Sequence, residues 1–211
     1  MLKQLYEKFQ NWSDGGSLYI YSDPHFVGNG NVDSDEVQMR KVFHYGSDEL
    51  QISNINNKVS KNDTLIILGD VGDPIVLEQL KCKNLILIKG NHDRGNEYYK
   101  DRFREIYEGP LFINEKILLS HEPIYSENWL NIHGHIHNQS QLDKAKEEKN
   151  FICVSANLHN YEPMNLGHLF KHEGEFKDFK SFKDIPSIHR ATIDLAIERK
   201  RKRKLGEFTT F

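Results

Sequence analysis

The chain has 211 residues, with 28 basic against 31 acidic side chains and a formal net charge of -3. That balance excludes a polycation built to coat nucleic acid. Hydrophobic residues make up 37% and mean hydropathy is -0.67, and no run approaches the ~18 apolar residues of a membrane span. A chain of this length can form a single domain with its own core. Cys82 and Cys153 are too few for a disulfide framework and lack the spacing of a thiolate zinc site. The opening residues mix acid and base without an apolar centre, so no signal peptide is expected and the cytoplasm is the expected compartment. Histidine stands out, at 11 residues.

In chain order, short apolar runs alternate with turn signals. Residues 17–22 predict a strand ending at Asp23-Pro24-His25, and a helical stretch is expected near 35–58. Residues 64–68 predict a strand ending at Gly69-Asp70, followed by helix near 75–81. Residues 85–88 predict a strand ending at Gly90-Asn91-His92-Asp93, followed by helix near 96–107. Strands at 117–120, 130–133 and 151–155 follow, the first running into His121 and the second into Gly134-His135. Continuous apolar runs bounded by Gly and Asp suit strands buried on both faces, and their alternation with helices predicts an α/β layered sandwich. Composition changes near 171. The expected organisation is a main domain over 1–170 and an appendage over 171–211 ending in the basic run Arg199 to Lys204. That run reads first as a solvated helix end and second as a contact for a phosphate-rich partner.

Asp, Asn and His residues thus recur just past the carboxyl ends of successive strands, the edge at which open α/β sheets bind ligands. The motifs differ in weight. Asp-x-His is expected about once by chance, whereas Gly-Asn-His-Asp is expected about 0.004 times in a chain of this composition. Asp23-x-His25, Gly69-Asp70-x-x-Asp73, Gly90-Asn91-His92-Asp93, Ser120-His121 and Gly134-His135-x-His137 together resemble the five blocks of the calcineurin-like metallophosphoesterases. The surrounding sequence is similar to the small stand-alone bacterial and phage members. Two departures are visible: Ser120 precedes His121 where many members carry Gly, and Gly72-Asp73-Pro74 replaces a common basic substrate contact.

The resemblance implies a four-layer α/β/β/α sandwich with two mixed sheets, and a dinuclear metal site. One ion would be held by Asp23, His25, Asp70 and His137, the other by Asp70, Asn91, His121 and His135, with Asp70 bridging. His92 would protonate the leaving oxygen and Asp93 would orient it. Imidazole and carboxylate donors without thiolate suit Mn, Fe, Zn or Ni, with Mn favoured. Two divalent cations against the charges of Asp23, Asp70 and a bridging hydroxide leave a positive site that attracts a phosphate ester and suits in-line attack. The expected activity is therefore hydrolysis of small or nucleotide-like phosphodiesters or monoesters. A nuclease with the same ligands is the alternative within the enzyme class. A metal-silent binding scaffold like the retromer subunit is the alternative outside it.

The remaining histidines divide. His133 reads as a near-core residue. His159 reads as structural first and as a rim residue second. His44, His168, His172 and His189 read as surface residues. Arg94 is a weaker candidate for substrate phosphate, and Asp73 is a candidate support for the bridging carboxylate. Specificity is expected in the loops 26–48 and 122–130. The expected partner is a phosphoester substrate, with nucleic acid not favoured, no membrane, and the oligomeric state open.

Overall fold

Strand residues in the computed structural model, which describes residues 17–30, 32–113, 117–124, 129–140 and 151–166, send alternate side chains into two separate cores. Strands β1 (Leu18–Tyr21), β2 (Thr64–Ile67) and β3 (Asn84–Ile88) lie side by side in parallel. Tyr21, Leu65, Ile67, Leu85 and Leu87 pack on one face with Ile52 and Ile55 of a helix, Leu77 and Phe103. Ile20, Ile66, Leu68, Ile86 and Ile88 pack on the other face with Leu111, Ile117, Leu119, Leu130 and Ile132 of a second sheet. A period of two applied to runs that are apolar throughout requires both faces to be covered. Burying each of these aliphatic side chains contributes roughly 1.5–3 kcal/mol.

The first sheet has the order β4-β3-β2-β1-β9, with β4 (Glu105–Tyr107) parallel to β3 and β9 (Met164–Asn165) antiparallel to β1. The second has the order β5-β6-β7-β8: β6 (Ile117–Ser120), β7 (Leu130–His133) and β8 (Phe151–Cys153) are parallel, and β5 (Leu111–Ile113) is antiparallel to β6. Both sheets are mixed, as expected. Helices cover the outer face of the first sheet. The outer face of the second carries buried Leu118, Asn131 and His133. The fourth layer, and the appendage from 171, lie outside the described residues.

Three helical expectations are corrected. The stretch 35–58 is two helices, α1 (Ser34–Val42) and α2 (Asp48–Lys58). Each has its own N-cap: Asp33 accepts from the Glu36 N–H and Ser47 from the Leu50 N–H, the capping geometry that starts a new helix. His44, at φ 52°, turns the chain between them. The stretch 75–81 is a 3-10 helix, Pro74–Gln79, with Asp73 as N-cap and Pro at its first position. The stretch 96–107 is helical only over α3 (Asn96–Tyr99), after which Glu105–Tyr107 pairs with the open edge of β3. Tertiary pairing overrides local helix preference there. Strands β4, β5 and β9, two or three residues each, are too short to show a period in sequence.

Candidate metal centre

All seven expected ligands converge where the carboxyl ends of the two sheets meet. From the first sheet come Asp23 and His25 after β1, Asp70 after β2 and Asn91 after β3. From the second come His121 after β6, and His135 and His137 after β7. They fall into two groups, Asp23–His25–His137 and Asp70–His121–His135, and within each group the donor atoms all lie within 4.8 Å of one another. The groups are in contact: His25 Nε2 is 3.7 Å from Asp70 Oδ2, and His121 Nδ1 is 3.8 Å from Asp23 Oδ1. Asn91 Oδ1 lies 2.8 Å from His121 Nε2 and 3.1 Å from His135 Nδ1.

The backbone is bent to make this cup. Asp23, His25, Asp70 and His135 have positive φ values of 54°, 44°, 53° and 69°. Such conformations cost of order 1–3 kcal/mol each in residues other than glycine and persist where the surroundings over-determine them. Hydrogen bonds do that here. Asp23 N donates to Gly69 O at 3.1 Å and His25 N to Asp70 O at 3.0 Å, tying the first two loops together. The Asp93 carboxylate accepts from Gly90 N at 2.7 Å, Asp70 N at 3.0 Å and Val71 N at 3.0 Å. What Asp93 braces in this structure is therefore the loop carrying Asp70. Asp23 Oδ2 accepts from His135 N at 2.9 Å and Ser155 Oγ at 3.0 Å, which sews the two sheets together. Two motif glycines allow the approach: a Cβ on Gly90 would overlap the Asp70 carboxylate, and one on Gly134 would overlap Ser22 Oγ and Asp23 Oδ2.

Ring orientation follows from the outer nitrogens. His121 Nδ1 sits 2.8 Å from Leu68 O, a carbonyl that can only accept. The Nδ1 proton is thereby fixed and Nε2 is left facing Asn91 and Asp70, 3.3 Å from Asp70 Oδ2. His137 Nδ1 lies 3.0 Å from the Tyr45 hydroxyl and 3.2 Å from Asn157 Oδ1. Its Nε2 points to Asp23 Oδ1 at 3.6 Å. His92 sits beside His25, ring centroids 5.8 Å apart, and its backbone N–H donates to Asp70 Oδ1 at 2.9 Å.

The electrostatics favour positive charge. Burial alone would raise the Asp23 carboxyl, but His121 and His137 outweigh it and hold the group below its ordinary value. Burial opposes ionisation of Asp70 too, and His121, His25 and His92 more than offset it. Burial pushes His121 down, yet Asp70 and Asp23 pull it up to about 10. Burial lowers His137 and His135, the latter with help from His121, and both stay neutral donors. Burial raises Asp93, and the charge of Asp70 adds to it. Asp23 Oδ1 and both ring nitrogens of His25 are buried with no hydrogen-bond partner. Polar atoms so placed, among donors of the oxygen and imidazole types, fit divalent cations.

Other expectations land elsewhere. His133 is fully buried against Phe151, its Nδ1 2.7 Å from Gly134 O, a core histidine as read. His159 Nε2 bonds Cys153 O at 2.7 Å, which is a structural contact. Asp73 caps the 3-10 helix through Ile75 N and also accepts from Asn29 N, so it supports the 26–30 loop and not Asp70. Arg94 stacks on Tyr98, 4.6 Å from the ring centroid. His44 is exposed, while His168, His172 and His189 lie outside the described residues. Tyr45, Ser155, Asn157 and Glu36 were not expected at the site. Their residue types carry no motif, and only folding brings them there.

No curated protein matches. The solved structure of a protein of unknown function, AQ665 from Aquifex aeolicus, superposes with a TM-score of 0.61 at 24% identity, covering 75% of this chain and all of that one. A nuclease from Pseudomonas putida, MPE, gives 0.39 at 21% identity over 57% of this chain and 61% of its own. The family model described as calcineurin-like phosphoesterase matches residues 16–192, and the chain belongs to that family.

Proposed function

We propose that the protein hydrolyses phosphoester bonds with a pair of divalent cations, Mn²⁺ the best fitting, acting on small or nucleotide-like diesters or monoesters. The observation that carries this reading is the meeting of two three-residue donor groups, one containing Asp70 and the other reaching it through His25, with buried atoms of Asp23 and His25 left unpartnered. Asp23, His25, Asp70 and His137 would hold one ion, and Asp70, Asn91, His121 and His135 the other. When bound, such a pair acidifies water and neutralises the phosphoryl oxygens.

The chain's own residues supply the rest. Asp70 Oδ1 is committed to the His92 N–H, which leaves Oδ2 for the cup. Leu68 O holds His121 in the tautomer that presents Nε2. His92 is partly exposed beside His25, which supports assigning it the transfer of a proton to the leaving oxygen of a bound ester. The two free buried thiols, Cys82 and Cys153, suit a reducing compartment such as the cytoplasm.

The test is hydrolysis of bis(nitrophenyl) phosphate and nitrophenyl phosphate with added Mn²⁺ and with chelator. Turnover that needs Mn²⁺ and disappears in Asp70→Asn is expected. Absence of turnover on both esters with Mn²⁺, Fe²⁺, Zn²⁺ and Ni²⁺ would replace the hydrolase by a binding scaffold.

A further inference from the structure

The one side chain of helix α1 that is buried is a charged one, Glu36, at 4% exposure. A carboxyl removed from water needs a partner. Glu36 Oε1 lies 3.5 Å from His25 Nδ1, and neither atom has a hydrogen-bond partner elsewhere among the described residues. Arg40, four residues on and so on the same face of the helix, donates to the main-chain oxygens of His25 and Gly46 and pairs with Asp48 at 3.2 Å. One helix face thus holds His25 by its ring and by its backbone, at a residue whose φ is 44°. On the far side of the ring, Nε2 faces Asp70 Oδ2 at 3.7 Å. His121 has Leu68 O behind it, and His137 has Tyr45 and Asn157. Behind His25 the corresponding place is taken by Glu36.

We propose that Glu36 is the positioning residue for His25: its carboxylate accepts from the Nδ1–H and so fixes the tautomer that presents Nε2 to a divalent cation. A carboxylate behind a ligating imidazole fixes the ring and raises its basicity, and removing it lowers metal affinity about 10- to 100-fold. The inference rests on the dinuclear reading above.

The experiment uses the full chain and Mn²⁺ alone, comparing wild type, Glu36→Leu and Glu36→Gln by titration calorimetry and metal counting, with melting temperatures taken in chelator. Glu36→Leu should weaken one of two Mn²⁺ sites about 10- to 100-fold and leave the other unchanged. Its melting temperature in chelator should hold or rise, because a buried carboxyl has been replaced by an apolar group. Glu36→Gln keeps an acceptor oxygen for Nδ1 and should recover most of the affinity. Wild-type affinity at both sites in Glu36→Leu would overturn the role of Glu36 and leave the dinuclear reading standing. An affinity loss equal in both variants, with a matching fall in melting temperature in chelator, would show a structural role and overturn it too. A wild type that binds no Mn²⁺ would sink both inferences together.

Discussion

The two sheets contribute unlike halves of the cup. Loops of the five-stranded sheet bring both carboxylates, Asp23 and Asp70, together with His25 and Asn91, while loops of the four-stranded sheet bring only imidazoles, His121, His135 and His137. The first half is braced by other side chains and loops: Asp93 on the Asp70 loop, Arg40 on His25, and the tie between the β1 and β2 loops. The second is braced from the first, through Leu68 O on His121 and Asp23 Oδ2 on the His135 N–H. Neither half gathers a full donor set alone. The site is a property of the interface between sheets, so any change that shifts one sheet against the other reaches the chemistry.

The largest expected effect tests whether the first half governs both ion positions. Asp70→Asn should remove activity by on the order of a thousandfold or more, since it weakens the charge that both positions share. Metal counting should show loss of both ions, and an Asp70→Asn protein that retains two ions and full rate would break the comparison. His135→Ala removes one imidazole from the second half and should cost one ion while the other stays, again read by metal counting. Equal loss of both would mean that the two donor groups do not hold their ions independently. His92→Ala should keep both ions and lose about 10²–10⁴ in rate, as expected of a proton donor outside the donor set.

Smaller effects sharpen the same contrast through stability. Clustered Asp23 and Asp70 gain partners when cations bind, so chelation should lower the melting temperature by about 10–20 °C if each of two ions is present at roughly 100 times its dissociation constant. A melting temperature indifferent to chelator would separate the fold from the ions. On the second sheet, burial lowers His133 to about 4, below the ordinary value of 6.5. A depressed folded-state value means that stability is present above pH 6.5 and is lost as pH falls towards 4. Between pH 7 and pH 5 this amounts to about 2 kcal/mol. His133→Gln, which cannot titrate, should show a correspondingly smaller drop in melting temperature over that interval. An unchanged drop would assign the acid sensitivity to other groups.

The separate helices α1 and α2 show why part of the site was hidden from sequence reasoning. Read as one helical stretch, residues 35–58 place Tyr45 mid-helix. The break after Phe43 instead swings its hydroxyl to Asp23 O at 2.9 Å and to His137. Glu36 looks like any solvated glutamate in the first turn of a helix, where an acid is favoured by the helix dipole. Asp93, by contrast, is a candidate by its block, whereas the Gly90, Asp70 and Val71 N–H groups that it accepts from are named only by the structure.

Sequence alone determined which residues are candidate ligands and where along the chain they sit. Each ligand lies within a few residues of a strand end, and the donor types needed for hard cations are visible one block at a time. Tertiary structure alone decided how the blocks pair across two sheets, which nitrogen each histidine presents, and which ordinary polar residues stand behind them. A metal ligand is recognisable by its own chemistry, whereas a supporting acceptor can be any carbonyl, hydroxyl, amide or carboxyl that packing brings within reach.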